Sequence, residues 1–320
     1  MTVGVPSNPV LVTPRRPARS VRRTSHIDIE PAAAGGLVLS GAARDLRTLD
    51  DETQVVASAE VRADVDAAMT LVDVMATPAD ARVTGLVGRR VAAGFRAAVD
   101  AALPDARDAA APLYLLLDDL PVAVVISGYA RLYSGAIAPE HVDAGQVKAD
   151  ICAGWRSDAT MMVALRTERR LPVPVGPPAG RLEPDDDPLA WHHIGALAPG
   201  AMRRRRLVEV TEGAPHQVYA MFRDSHVDEA GSETVLHEYV VTATLDPATL
   251  VLSGCRAQPR VLPWTECPEA AASAGRLDGH RAADVRRLVS RELRGITTCT
   301  HLNDLLRSLG GLGALVALLP

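Results

Sequence analysis

The chain has 320 residues, of which 48% are hydrophobic and 23% are charged, a composition that excludes disordered and fibrous proteins. Its 34 basic and 39 acidic residues give a formal net charge of −5, which disfavours nucleic acid or an anionic membrane as a partner. The four cysteines are too few for a disulfide framework, and the longest apolar stretches are interrupted or too short for a membrane helix. We therefore expect a cytoplasmic protein with reduced cysteines.

The N-terminal residues 1–21 are rich in proline and arginine and lack the apolar core of a secretory signal, so we expect a disordered basic tail. In the following segment, 22–46, isoleucines alternate with polar residues, and a Gly-Gly turn precedes a second apolar run. This pattern predicts a β-hairpin. Its first strand would carry His26 and Asp28 together on its polar face.

The composition changes after residue 50. Residues 50–165 are rich in alanine, carry apolar residues at helical spacing and are divided by prolines, which predicts an insertion of several short helices. Residues 171–190 are rich in proline and acidic residues, and we expect them to form a connector without a core of its own. No internal repeat is apparent along the chain.

Alternation of apolar and polar residues returns in the C-terminal part of the chain. Three successive segments over 205–262, joined by short turns, predict an antiparallel meander, and amphipathic helices follow it. The hairpin at 22–46 needs strand partners, which the meander can supply. The sequence therefore predicts an α+β fold for residues 22–320, a single domain with one antiparallel sheet packed by helices and with a helical insertion.

A cysteine and a histidine lie close together where one of the C-terminal helices is predicted to begin. Cys299 would lie in the first helical turn, where unpaired backbone N–H groups and the helix dipole favour a thiolate. His301 could then be its base or a second metal ligand. In the alternative structural role, Cys299 is a small buried hydrophobe and His301 only begins the helix.

Two histidines have an aspartate two residues away along a predicted strand. Asp224 lies beside His226 at the end of one strand, and Asp28 lies beside His26 in the first hairpin. A carboxylate next to an imidazole fixes its tautomer and stabilises its charged form, so both pairs are candidates for acid–base catalysis. An exposed turn and a solvated strand face explain the same residues equally simply.

Further candidates lie in the predicted meander and in the loop after it. His237 and Glu238 point to opposite faces of one strand, so they cannot jointly bind one metal ion. Tyr239 and Trp264 are expected to line an apolar pocket, with Glu238 as a further substrate-binding residue. In the alternative, these side chains are ordinary parts of the core.

Several short elements of the C-terminal half occur in a distinctive order. They are His237-Glu238, Cys267-Pro268 in a proline-bounded loop, and Gly295 before Cys299-Thr300-His301-Leu302. Together they resemble a bacterial family catalogued as domain of unknown function 2889, over about 22–46 and 205–310, and the helical stretch between looks like the insertion of a longer branch. The resemblance implies no reaction, but it implies that one folded unit contains His237, Cys267, Cys299 and His301.

The chain contains no glycine-rich phosphate loop, no G-x-S-x-G elbow and no H-E-x-x-H motif, so we expect no organic cofactor. The leading hypothesis is an enzyme for an apolar or aromatic small molecule. Proton transfer by His226 or His26, each oriented by its nearby aspartate, would drive a lyase or isomerase step.

Two other functions are compatible with the sequence. A metal protein would bind zinc through His237, Cys267, Cys299 and His301. A variant of this hypothesis is a hydrolase that uses Cys299 as nucleophile and His301 as base. A non-catalytic binding or assembly protein would use the same residues only as caps and turns, and a homo-oligomer formed through the alanine-rich helices is compatible with each hypothesis.

Overall fold

The computed structural model describes residues 5–50, 52–138 and 147–320. The strands are β1 (Ser20–Pro31), β2 (Leu37–Thr48), β3 (Thr53–Val65), β4 (Leu71–Thr77), β5 (Met202–Thr211), β6 (His216–Val227), β7 (Glu233–Leu245) and β8 (Leu252–Val261). The α-helices are α1 (Phe95–Ala102), α2 (Pro104–Asp108), α3 (Pro112–Tyr133), α4 (Thr160–Thr167), α5 (Val285–Glu292), α6 (Thr300–Ser308) and α7 (Leu312–Val316). The strands form one antiparallel sheet in the order β4-β3-β2-β1-β5-β6-β7-β8. The predicted α+β fold, with hairpin and meander in one sheet, is confirmed.

The prediction of a purely helical insertion over 50–165 is wrong in its first part. Residues 53–77 form β3 and β4, which extend the N-terminal hairpin to a four-stranded meander. Alternate residues in 59–65 are buried, as expected for a strand with one face on the core. Two of these buried residues are alanines, and because alanine is a strong helix former, the period of two is hard to recognise there.

The N-terminal segment and the connector pack on the face of the sheet that carries no helices. Thr13 is buried, donates a hydrogen bond to the carbonyl of Leu182 (2.8 Å) and accepts one from the indole of Trp191 (3.1 Å). Arg16 forms an ion pair with Asp187. The prediction of a disordered tail is therefore wrong for the described part of this segment. The connector, expected to lack a core, contributes Leu182 and Ala190 to a small apolar cluster that also contains Trp191, the residue after its predicted end.

Helix α3 is the long helix of the N-terminal half. Among the described residues, it alone is long and apolar enough to cross a membrane by length and composition, and 72% of its most apolar stretch is buried inside the protein. The helix packs on β2 and β3 and brings Asp118 and Asp119 to the middle of the sheet. Asp119 forms an ion pair with Arg206 of β5 at 2.8 Å.

The two halves of the sheet repeat one topology. β1–β4 and β5–β8 are both meanders, and their first strands pair antiparallel at the centre, with Ser25 opposite Arg206. Val21 belongs to the core under α5–α7, and Ile27, on the same face of β1, belongs to the core under α1 and α3. Both sets of helices therefore pack on one face. An approximate two-fold axis near the Ser25–Arg206 pair relates the halves, although no repeat is apparent in the sequence.

Ion pairs follow this approximate symmetry. Arg22 and Arg203 each lie three residues before the central pair, and each binds an acidic residue three residues after it on the partner strand. The Nε atom of Arg22 is 2.6 Å from Oε2 of Glu209, and Nε of Arg203 is 2.5 Å from Oδ1 of Asp28. The symmetry is therefore visible in the charged residues of β1 and β5.

Candidate metal centre

Three potential metal ligands meet on the helical face of the sheet, where β6, β7 and the first turn of α6 come together. Asp224 of β6 lies opposite His237 of β7, and His301 comes from α6. One ligand atom of each residue lies within 4.8 Å of the other two. Nδ1 of His237 is 3.6 Å from Oδ2 of Asp224, and the rings of His237 and His301 stack with centroids 3.7 Å apart. We call these three residues the Asp-His-His cluster.

A β-bulge sets the positions of two members of the cluster. Asp224 pairs with His237, but the next residue of β6, Ser225, pairs with Val235, so Leu236 has no partner on β6. Such a bulge changes the direction in which neighbouring side chains point, and bulges are common next to functional sites. Leu236 packs in the core under α1 and α3, and His237 faces Asp224 and α6.

The carboxylate of Asp224 is buried, and neither of its oxygens accepts a hydrogen bond from the residues that the structure describes. The nearest cation is Arg204, whose Nε lies 3.4 Å from Oδ1. Burial alone would raise the pKa of Asp224, but the charge of Arg204 and the neighbouring histidines outweigh it, so the pKa lies below its ordinary value. A buried carboxylate with unused acceptor positions is costly unless a partner completes it.

Both histidines of the cluster are half-buried. Desolvation of its ring, together with the neighbouring His237, lowers the pKa of His301 to about 3. A neutral imidazole is the form that binds metal ions. The side chain of His237 is 19% exposed, so the cluster opens toward solvent on its β7 side.

The donor set fits a divalent transition metal. Two imidazoles and one carboxylate are the ligands of non-haem iron(II) sites and of many catalytic zinc sites. Three protein ligands leave coordination positions free for water or substrate. Within the described residues, this is the one group of three such side chains close enough to share an ion.

The two cysteines of the expected zinc set, Cys267 and Cys299, lie outside the Asp-His-His cluster. Cys299 is the N-cap residue of α6, and its Sγ is 3.9 Å from Nδ1 of His301. Burial raises the pKa of Cys299 to about 11 and also raises the pKa of Cys267. This direction is opposite to the lowered pKa expected at a helix N-terminus, so the geometry does not support an activated thiolate.

The acid–base pair expected from Asp224 and His226 does not form among the described contacts. Both side chains are buried on the helical face of β6, but the ring of His226 lies against Tyr133 and Tyr129, with centroid distances of 4.6 and 5.4 Å. Burial lowers the pKa of His226. The aspartate instead faces His237.

The second expected pair lies on the opposite face of the sheet. Nδ1 of His26 is 2.7 Å from Nε2 of His192, which follows the connector and was not among the predicted site residues. Asp28 binds Arg203 rather than the histidine. His26 and Asp28 therefore lie apart from the Asp-His-His cluster, with the sheet between them.

The three expected substrate-binding residues do not all lie on one face of the sheet. Glu238 lies on the helix-free face, where its carboxylate is 2.6 Å from Nε of Arg223. Tyr239 is fully buried, with its hydroxyl 3.4 Å from the carbonyl of Cys267, and burial raises its pKa. Trp264 is partly buried against the core under α5–α7. None of these contacts supports a common pocket.

Comparisons with known proteins locate the cluster in a family. No curated protein and no solved structure gives a significant match to this chain. A family model described as "Protein of unknown function (DUF2889)" matches residues 202–313, which span β5 to the start of α7 and include all three residues of the cluster. The N-terminal hairpin lies outside the match. Residues 202–313, and with them the candidate metal centre, are thus similar to the family of unknown function DUF2889.

Proposed function

We propose that the Asp-His-His cluster binds one divalent metal ion and that the protein is a metal-dependent hydrolase of a small molecule. The observation that carries this proposal is the buried carboxylate of Asp224, which has no hydrogen-bond partner among the described residues and lies within 4.8 Å of two imidazoles. A bound divalent ion in such a site lowers the pKa of a coordinated water and polarises an ester or amide carbonyl. The proposal retains His237 and His301 from the expected zinc set and replaces both cysteines with Asp224.

The residues around the cluster favour a substrate with an apolar or aromatic group. His226 lies two residues after Asp224 on the same face of β6 and packs against Tyr129 and Tyr133. Tyr133 is 38% exposed. If an aromatic group of the substrate packed against these three rings, a polar group attached to it would point toward Asp224 and His237.

The decisive experiment is metal uptake by the purified protein. We expect elemental mass spectrometry to find about one zinc or iron per chain. After removal of the metal by a chelator, titration with Co²⁺ should give the visible absorption bands of a coordinated ion. His237→Ala and His301→Ala should each weaken Co²⁺ binding by more than the roughly 10- to 100-fold that follows loss of a hydrogen-bond partner of a ligand.

The matched control is His280→Ala, which removes an exposed histidine on the same half of the chain. This variant should bind Co²⁺ as the wild type does. A folded wild-type protein that takes up no metal, or histidine variants that bind as the control does, would contradict the proposal.

A second candidate function uses the same site without a metal. Asp224 and His237 are close enough for the carboxylate to orient the imidazole, and the exposed side of His237 could exchange a proton with substrate. This arrangement retains the histidine-catalysed lyase or isomerase expected from the sequence, with a different histidine. Full activity of chelator-treated protein, lost in His237→Ala, would favour this function over the metal-dependent one.

A further inference from the structure

A large cleft lies on the helix-free face of the sheet, on the side opposite the Asp-His-His cluster. Its volume is about 970 Å³, and it is bounded by β2, β5 and the connector. Its lining contains four arginines (Arg44, Arg181, Arg203 and Arg205), two histidines (His192 and His193) and three acidic residues (Glu183, Asp185 and Glu233). Arg181 forms an ion pair with Asp185. Whether the cleft suits a negatively charged ligand therefore depends on which of its other arginines lacks a carboxylate partner.

The arginines of the cleft differ in how they are neutralised. Arg203 and Arg205 each bind a carboxylate, at 2.5 Å to Asp28 and 3.0 Å to Glu183. Arg44 has no carboxylate partner among the described residues. Its Nη2 donates to the carbonyl of Leu189 at 2.6 Å, and its buried Nε has no partner. The Nε of Arg205 is likewise buried and unpaired.

The approximate two-fold axis shows what Arg44 lacks. Arg44 precedes Asp45 in β2 as Arg223 precedes Asp224 in β6, and both arginines lie on the helix-free face. Opposite Arg223 on β7 is Glu238, which binds its Nε at 2.6 Å. Opposite Arg44 on β3 is Ser58, which carries no charge. Arg44 of the N-terminal half therefore lacks the carboxylate partner that Glu238 provides to Arg223 in the C-terminal half.

The positive charges of the cleft influence His192. Burial, the neighbouring His26, and the charges of Arg44, Arg205 and Arg203 together lower the pKa of His192 to about 3. His192 is held by Thr24 at 2.8 Å and by His26 at 2.7 Å, so it stays in place at the floor of the cleft. Arg44, Arg203 and Arg205 line the same cleft as His192.

We propose that this cleft binds a small organic anion, whose carboxylate or phosphate group accepts hydrogen bonds from the guanidinium groups of Arg44 and Arg205, which both line the cleft. Guanidinium groups bind such oxyanions through paired, charge-assisted hydrogen bonds. The bound anion would neutralise Arg44, as Glu238 neutralises Arg223 at the equivalent position of the other half. This proposal does not depend on the metal site, because the two sites lie on opposite faces of the sheet.

The test is calorimetric titration of the purified full chain with sodium phosphate and, separately, sodium succinate at constant ionic strength. We expect saturable binding of at least one anion, and Arg44→Gln should weaken it at least about tenfold. Binding of phosphate alone would indicate a phosphate ester, and binding of succinate alone would indicate a carboxylic acid. The matched control is Arg62→Gln, which removes a half-exposed arginine of β3 and should leave the affinity unchanged.

A second measurement separates binding from folding. Because Arg44 is not neutralised, Arg44→Gln should unfold in urea at the same or a higher concentration than the wild type, and Arg44→Lys should retain part of the affinity. Absence of saturable binding of either anion to the wild type, or equal binding by Arg44→Gln, would overturn the proposal.

Discussion

In both halves of the sheet, an arginine of the central strand faces an aspartate of the next strand on the helical face. Arg23 and Arg204 each lie two residues before the central Ser25–Arg206 pair, and they face Asp45 and Asp224 respectively. The first pair is bidentate, with both N–O distances at 2.6 Å. In the second pair the shortest distance is 3.4 Å, and the carboxylate accepts no hydrogen bond.

The outer strands explain this difference. Opposite Asp45 on β3 is Ala57, whereas opposite Asp224 on β7 is His237. The first half thus uses its aspartate to neutralise an arginine. The second half holds the equivalent carboxylate away from its arginine and beside the histidines. Under the proposed function, the aspartate of this pair serves the fold in the first half and metal binding in the second.

Helix-borne aspartates join the two halves across the approximate axis. Asp118 of α3 accepts hydrogen bonds from Arg286 of α5 at 3.0 Å, and Asp304 of α6 accepts one from Arg96 of α1 at 2.7 Å. Each half therefore supplies an arginine to an aspartate of the other half. Because all four groups are at least partly buried, these contacts are less screened by solvent than surface pairs.

The largest expected effect is a difference in stability between the variants Asp45→Asn and Asp224→Asn. Asp45→Asn should lower the free energy of unfolding by about 3–5 kcal/mol, because it leaves the buried guanidinium of Arg23 without its partner. Asp224→Asn should change the stability of the metal-free protein by about 1 kcal/mol or less, because no hydrogen bond is lost. Urea unfolding of the metal-free variants measures both values.

Metal binding should show the reverse order. Co²⁺ titration should detect wild-type affinity in Asp45→Asn at a temperature where it is folded, and strongly reduced affinity in Asp224→Asn. If Asp224→Asn destabilises the metal-free chain as much as Asp45→Asn does, the two pairs have the same structural role and the comparison fails.

The second meander was predictable because its strands alternate apolar and polar residues with few alanines. The first meander was predictable only as far as its hairpin, since β3 carries alanine at positions where a strand ordinarily shows a branched residue. The approximate two-fold axis was not predictable. The halves share positions of charge, and those positions become equivalent only when the register of β1 and β5 is known.

The candidate site was predicted in its parts but not in its combination. His301 was selected beside Cys299 at a predicted helix start and His237 as a residue of a predicted strand, and the family resemblance implied that both belong to one folded unit. Asp224 was selected as a partner for His226. The bulge at Leu236 brings these residues together, because it places His237 opposite Asp224. A bulge adds one residue to a strand without a strong signal in the sequence, so the pairing required a structure.

A smaller effect concerns the position immediately after the central pair, which is His26 in one half and Leu207 in the other. Burial and nearby positive charges lower the pKa of both His26 and His192 from 6.5 to about 3. The neighbouring charged or titratable groups are Arg44, Arg203, Arg205 and His193. In the unfolded chain both histidines regain their ordinary pKa, so between pH 6.5 and 3 the unfolded state binds more protons.

Stability contributed by these neutral histidines is fully present above pH 6.5 and falls as the pH decreases toward 3. Each histidine adds a slope of up to about 1.4 kcal/mol per pH unit. His26→Leu, which introduces the residue of the other half, should reduce this slope. Urea unfolding at about pH 7.5 and about pH 5.5 measures it, with His280→Leu as the exposed control. Equal slopes in wild type and His26→Leu would show that the pair is already protonated when folded.

The smallest expected effect distinguishes the two symmetric ion pairs of the central strands. The side chains of Arg22 and Glu209 are 0% and 4% exposed, whereas those of Arg203 and Asp28 are 3% and 15% exposed. Glu209→Gln leaves an arginine that water cannot reach, and Asp28→Asn leaves one at the edge of the anion-binding cleft. Glu209→Gln should therefore destabilise the protein more, by about 1–2 kcal/mol. Urea unfolding in the presence and absence of salt is the measurement, because screening should affect only the Asp28 variant. Equal losses of unfolding free energy in the two variants would mean that water is excluded from the cleft to the same degree as from the core. The anion proposed to bind there would then have to enter a site without water.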